Sequence, residues 1–358
     1  MTSSSGTAVC AVTPPSTWAA PDFAANAANA LALRARLEAL AGTGIMRTAE
    51  QGTSTALLSE LNAVLNAETP SLASVVTPAF LPVITDSFEE FAEVAAAGPV
   101  ASLIDGGGQW APGAAGGITG GTGARGINEG GIEVRQIVHK GLFTGGAFYS
   151  EAVRLTTGTI NEATIDSIAA LWGGNPTLDP AGSKVHSANY SFGMGYHARI
   201  VTSLIAAKAY AADGACNAER DAAIVTLFRD WELSMFARAL FYANGAIVKA
   251  QSAVYLDKVA ALHELAEGLG LVWGYHGVTT PNAGPLSGGA RVSTDAVIES
   301  LLTTLKVNRT DLGASNLGDY VEAGSTIQAD SAAAEEIVRA AFGLQSGDFA
   351  AIRTPTPG

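Results

Sequence analysis

The sequence predicts an all-α protein, built as one antiparallel helical bundle or two, and three observations carry that expectation. Apolar residues recur at three- and four-residue spacing through most of the chain. Strand-like alternation is nearly absent. Small residues do much of the filling, with 41 glycines and only 7% aromatics in 358 residues, a composition that lets helices approach closely. Hydrophobic residues reach 48%, enough for a sizeable core without metals or disulfides.

Residues 1–18 are rich in Ser, Thr and Pro and read as a flexible leader. A helical domain is expected over 19–352, as one body or as two packed bundles with a Gly-rich loop, 106–127, between them. Residues 353–358 read as a flexible tail. The first helix opens at Pro21-Asp22 and runs through Leu31, Leu33, Leu37 and Leu40. Thr53 to Asn66 repeats the pattern with Leu57, Leu58, Leu61, Val64 and Leu65. Ser71 to Ala97 holds Pro78 and Pro82, which predict a kink or break.

The stretch from Gly106 to Gly131 contains Gly121-Thr122-Gly123-Ala124-Arg125-Gly126, a formal match to the dinucleotide-binding G-x-G-x-x-G. That reading requires a βαβ unit. None is visible, so a loop is expected. Glu129 to Thr156 runs without a proline, and Val134, Val138, Gly141, Gly145, Phe148 and Ala152 form one stripe suited to close helix crossing. Further helices are expected at Asn161–Trp172, Lys184–Ala211, Ala218–Gln251 and Val254–Tyr275. Ser293–Lys306 and Ser331–Phe342 close the chain, with Ser293 and Ser331 as N-caps.

The net charge of −13 disfavours phosphate backbones, so nucleic acid is not an expected partner. No apolar run reaches the length of a membrane span; the longest, Ile137 to Tyr149, is interrupted by His139 and Lys140. Cys10 and Cys216 show no metal or redox spacing, and in an exported protein they could pair. The opening Met1–Thr7 looks like the linker of an exported lipoprotein, which suggests an extracytoplasmic location.

Standard catalytic motifs are missing: there is no H-E-x-x-H, no E-x-x-H, no G-x-S-x-G and no P-loop. One segment, His263-Glu264-Leu265-Ala266-Glu267-Gly268, places His263 and Glu267 one turn apart on a helix face. That spacing permits both to bind one metal ion. It equally suits a structural polar pair at a helix border. Imidazole with carboxylate suits iron, zinc or manganese about equally. His197 and Glu133 are candidate neighbours, and His276 or His197 a candidate third ligand. Gly270 and Gly274 leave space for a ligand or for a neighbouring backbone. Glu151 and Arg154 read as an i, i+3 pair.

The run Gly126-Ile127-Asn128-Glu129-Gly130-Gly131-Ile132-Glu133-Val134, with Gln136 and Lys140-Gly141-Leu142, resembles the centre of an uncharacterised family of bacterial envelope lipoproteins. Ala261 to Gly268 resembles its later motif, and Pro21 to Met46 its opening. That family is similar to imelysin-like proteins, which are helical, envelope-located and linked to iron or haem uptake through a G-x-H-x-x-E motif. Here the nearest match is Gly195-Tyr196-His197-Ala198-Arg199-Ile200, with Ile200 in place of the Glu. The resemblance implies a non-catalytic periplasmic or outer-membrane protein that binds a metal ion, haem or a partner such as an uptake receptor. A metallopeptidase with His263 and Glu267 as ligands and Glu264 as base is one alternative. A structural scaffold is the other.

Overall fold

A computed structural model of the chain describes residues 9–52, 56–98, 116–119, 123–178, 187, 188, 191, 195–288 and 293–345. It is largely all-α, with one two-stranded sheet among the described residues.

The opening helix is divided: α1 (Phe23–Asn26) and α2 (Ala28–Leu37) lead into a π-turn at Glu38–Gly42 and then α3 (Ile45–Glu50). α4 (Leu58–Asn66) starts where Glu60 Oε2 accepts the Leu57 amide at 3.1 Å. α5 (Leu81–Ala97) carries Pro82 in its first turn, where a missing N–H costs nothing, so the predicted break falls before the helix rather than within it.

Part of the expected Gly-rich loop folds instead as a hairpin, β1 (Gly117–Thr119) against β2 (Arg125–Ile127), with Gly117 opposite Ile127. Residues 106–115 and 120–122 of that stretch lie outside the described residues. Gly126 packs closely on α5: a Cβ there would sit 3.2 Å from the Val94 side chain and 3.3 Å from that of Phe91.

The single helix expected from Glu129 to Thr156 is α6 (Val134–Gly141), a π-turn at Leu142–Gly146 and α7 (Phe148–Leu155). The break is at Thr144, whose φ of −101° and ψ of −137° are not helical. α8 (Glu162–Trp172) is capped by Asn161, whose Oδ1 accepts the Thr164 amide at 2.9 Å. α9 (His197–Ala211), α10 (Asn217–Ala250) and α11 (Tyr255–Trp273) follow. The start of the expected Lys184–Ala211 helix lies largely outside the described residues. α12 (Asp295–Thr304) is capped by Thr294, not Ser293, and α13 (Ile327–Phe342) begins a turn before Ser331. Ser293 stands one residue before the cap and Ser331 lies inside its helix, so neither is placed to accept a first-turn amide.

The described helices fall into two compact units. Unit 1 comprises Met1–Leu31, Glu151–Glu232 and Thr280–Arg291. Its core includes Phe23, Ile165, Ile168, Trp172, Ile200, Leu204, Phe228 and Trp231, all buried. Cys10 and Cys216 form a disulfide that ties the N-terminal segment to the start of α10. The buried Asp166 is neutralised by Lys208 at 2.6 Å and accepts from Asn26 at 2.7 Å. The Glu151–Arg154 pair forms as expected, through two contacts of 2.6 Å.

Unit 2 comprises Ala32–Ser150, Leu233–Thr279 and Val292–Gly358. Its centre is the crossing of α6 over α11. A Cβ on Gly270 would lie 2.6 Å from the Gln136 carbonyl oxygen, and one on Gly274 2.5 Å from that of Gly141. The glycines flagged in the sequence therefore admit a neighbouring backbone rather than a ligand. Beyond them α10, α11, α12 and α13 enclose an apolar cavity of about 20 Å³ lined by Phe236, Leu269, Leu302 and Val338. Among the described residues no helix is long and apolar enough to cross a membrane.

Candidate functional site

Three of the groups singled out in the sequence, Glu133, His263 and Glu267, meet at the α6–α11 crossing. Glu133 is the N-cap residue of α6, while Arg135, Gln136 and Lys140 lie along that helix. Every residue of α6 is buried, polar ones included. His263 and Glu267 face it from α11, and Glu50 arrives at the end of α3.

Glu133 and Glu50 are fully buried and share one cation. Arg135 donates from Nε to Glu50 at 2.6 Å, from Nη2 to Glu133 at 3.0 Å and from Nη1 to the Ala41 carbonyl at 3.0 Å. Glu133 also receives His263 Nδ1 at 2.6 Å, Arg125 Nε at 3.3 Å and Gln136 Nε2 at 3.2 Å. Burial pushes the Glu133 carboxyl up, but His263, Arg135 and Arg125 together hold it well below the usual carboxylate range. An ionised carboxylate only accepts, so His263 Nδ1 carries the proton in this pair. Gln136 Oε1 accepts from no described residue.

Glu50 behaves differently. Burial, then the neighbouring Glu133 charge, raise its carboxyl, against the pull of Arg135, the Gly126 amide and Arg47. Its Oε1 accepts the Gly126 amide at 3.1 Å, and Arg47 bridges Glu50 at 3.0 Å to the Ala124 carbonyl at 2.7 Å. These bonds pin β2 of the hairpin to α3.

Glu267 faces Lys140 Nζ at 2.8 Å, and His263 Nε2 stands 3.9 Å from its other oxygen. Burial would raise this carboxyl, but Lys140 and His263, with a Tyr242 hydrogen bond, hold it down at about 2. Glu264, next in sequence to His263, is paired with Lys249 of α10 instead.

Within unit 2 the structure brings His263, Glu267 and Glu133 together; His197 belongs to unit 1. His197 starts α9 in unit 1 with its ring centroid 5.1 Å from that of Trp172. Ile200, standing where the imelysin motif has Glu, is a buried core residue. His276 follows the far end of α11, thirteen residues and about 20 Å along the helix axis from His263, and pairs with Glu299 at 3.2 Å. His139 sits 3.9 Å from Glu38. His186 lies outside the described residues.

Sequence reasoning missed Arg135, Arg125 and Glu50. The available signal was Glu133-x-Arg135-Gln136-x-x-x-Lys140 set between a Gly-rich stretch and an apolar one. Among the described residues no group of three or more His, Cys, Asp or Glu side chains is arranged to hold a metal ion. The cations already present explain this: the carboxylates that would bind a metal are occupied by guanidinium, ammonium and imidazole, so the donor set does not fit one. Comparison with protein-family models, curated proteins and solved structures gives no match, so the reading of this face rests on its own geometry.

Proposed function

We propose that the chain is a non-catalytic protein of the bacterial cell envelope, in which the His263–Glu267 face is an ion-paired lock between α6 and α11. The protein acts as an extracytoplasmic scaffold, and its partner is another envelope component, such as an uptake receptor. One observation carries the reading: each carboxylate turned toward His263 already holds a cation of the chain itself, Arg135 and Arg125 on Glu133 and Lys140 on Glu267. A buried network satisfied in this way fixes the register of the helices that contribute to it. The compartment is supported by the Cys10–Cys216 disulfide, since such bonds persist outside reducing cytosol. The likeness to envelope lipoproteins points the same way. Glu264 is committed to Lys249, which argues against its use as a peptidase base.

The test is to purify the protein from an envelope fraction and measure bound metal and haem in the wild type and in His263→Ala. The expected result is no stoichiometric metal or haem in either, with the variant melting a few degrees lower, because a buried hydrogen bond to a charged group contributes about 1.5–3 kcal/mol. Stoichiometric metal or haem that His263→Ala abolishes would overturn the lock in favour of a metal-acquisition role. Recovery from cytosol with free thiols would remove the envelope assignment.

A further inference from the structure

Asn-x-Ser/Thr, with any residue but proline in the middle, is the acceptor pattern for an N-linked saccharide in exported proteins. The chain holds three Asn-x-Ser/Thr runs: Asn175-Pro176-Thr177, Asn189-Tyr190-Ser191 and Asn308-Arg309-Thr310. Pro176 disqualifies the first, since its ring fixes φ and removes an amide. In the second, Ser191 is fully buried, its Oγ donating to the Ser187 carbonyl at 2.8 Å and accepting the Trp172 indole N–H at 3.3 Å. Asn189 itself lies outside the described residues. The third run is at the surface, in the loop between α12 and α13. Asn308 is half-buried, Arg309 and Thr310 are exposed, and all three line an open cleft of about 480 Å³.

The loop holds these residues in a defined arrangement. Asn316 N–H donates to the Lys306 carbonyl at 3.0 Å, Asn308 N–H to Ser315 Oγ at 3.0 Å, and Arg309 Nη1 to Glu299 of α12 at 2.7 Å. The Asn308 side chain is then engaged on one side only. Its Oδ1 accepts the Thr310 amide at 3.0 Å and the Thr310 hydroxyl at 2.9 Å, while its Nδ2 donates to no described residue. A carboxamide nitrogen is a poor nucleophile because its lone pair is shared with the carbonyl. Two donors on Oδ1 stabilise the negative charge that this oxygen gains when Nδ2 gives up a proton, so they favour attack by Nδ2.

We propose that Asn308 is an acceptor for an N-linked oligosaccharide, with Thr310 as the hydroxyl residue that activates it. The co-reactants are an oligosaccharide carried on a lipid diphosphate and an oligosaccharyltransferase of the envelope. Nδ2 of Asn308 attacks the anomeric carbon of the first sugar and forms the N–C bond. The bond from that carbon to the diphosphate oxygen breaks, the lipid diphosphate leaves with the electron pair, and one Nδ2 proton passes to a base of the transferase. The inference rests on the extracytoplasmic location proposed above and does not depend on the His263 network.

The experiment purifies the full chain from an envelope fraction of its native cell and maps its peptides by fragmentation mass spectrometry. The peptide containing Asn308 is expected to carry a saccharide on the side-chain amide. The peptide containing Asn175 is expected to carry none, although Oδ1 of Asn175 accepts the Thr177 amide at 3.1 Å and the Thr177 hydroxyl at 3.0 Å, because Pro176 blocks it. Asn308→Gln and Thr310→Ala are expected to lose the modification completely, and Thr310→Ser, which restores a hydroxyl, to keep it. Melting like that of wild type shows that the variants fold, and Thr310→Ser is read alone if Thr310→Ala does not. An unmodified Asn308 in wild type overturns the proposal, as does a saccharide that survives Thr310→Ala or is lost in a folded Thr310→Ser. The Cys10–Cys216 bond separates the two failures: unmodified Asn308 with the disulfide formed overturns the acceptor site alone, whereas unmodified Asn308 with free thiols overturns the envelope location as well.

Discussion

Lys140 and Glu267 show what one buried pair does for this protein. Each is buried, and Lys140 Nζ stands 2.8 Å from Glu267 Oε1. Replacing one partner strands the other charge away from water, which costs about 3–5 kcal/mol. Lys140→Met is therefore expected to lower the unfolding free energy by that amount in chemical denaturation at neutral pH. The same pair sets an acid dependence. Glu267 is held at about 2 in the folded chain against 4.5 for the ordinary group. A depressed carboxyl stabilises above its unfolded value and loses that contribution as pH falls through the window from 4.5 to about 2, on the order of 3 kcal/mol in all. Glu50 works in the opposite sense, because its carboxyl is raised by burial and by Glu133, so its protonation on mild acidification relieves a cost. Stability is expected to fall as pH drops below about 4.5, where Glu267 starts to take up its proton, with Glu50 working against that fall. In Lys140→Met the fall assigned to Glu267 disappears; an unaltered acid limb would show that the pair is not its source. His263 and Glu267 were legible because helical spacing puts them on one face, and Glu133 was a named neighbour, but Arg135, Arg125 and Glu50 were missed and the burial of Lys140 was not foreseen. Polar residues opposite an apolar stripe normally face water, and α6 is instead enclosed on every side.

At the scale of elements, the α6–α11 crossing depends on what is missing from its glycines. Gly270 meets the Gln136 carbonyl oxygen at 2.6 Å from where a Cβ would be, and that neighbour is backbone, which cannot swing aside. Gly270→Ala is expected to cost about 1–3 kcal/mol or more through displaced helices. Gly158→Ala, where a Cβ would meet nothing within 4 Å, is expected to stay within about 0.5 kcal/mol. Thermal melts of the two variants side by side check this, and equal melting would mean that α6 and α11 have room to part. The glycine stripe through Gly141 and Gly145 announced this crossing in the sequence, since small residues at helical spacing have few other uses. The break at Thr144 was not announced. No proline marks it, and the neighbouring Gly145 and Gly146 are as compatible with a close crossing as with a turn. The hairpin was equally hidden, because its strands are three residues each and glycine-rich, too short to show alternation. What holds it in place is Glu50 from a distant helix, a contact with no local sequence trace.

For the whole molecule, the Cys10–Cys216 bond spans 206 residues of sequence. Removing a cross-link over so long a loop frees the unfolded chain, and losses of about 2–5 kcal/mol are typical. Cys10→Ser with Cys216→Ser is expected to melt lower than wild type, and a reductant is expected to lower wild type alone. Identical melting of the two would mean the bond adds nothing to the fold. The pairing was left open by the sequence, because two cysteines so far apart report no geometry until α9 and α10 bring the second one to the N-terminal segment. The order of the segments has its own effect on how the chain is made. Unit 1 takes its pieces from Met1–Leu31, Glu151–Glu232 and Thr280–Arg291, and unit 2 from the stretches between and after them. At about 5–20 residues per second, Cys10 waits roughly 10–40 s for Cys216 to leave the ribosome. Each unit takes in a segment that begins at or after Thr280, so its full set of contacts forms only when that late segment has been made, and the cross-link is set before either set is complete.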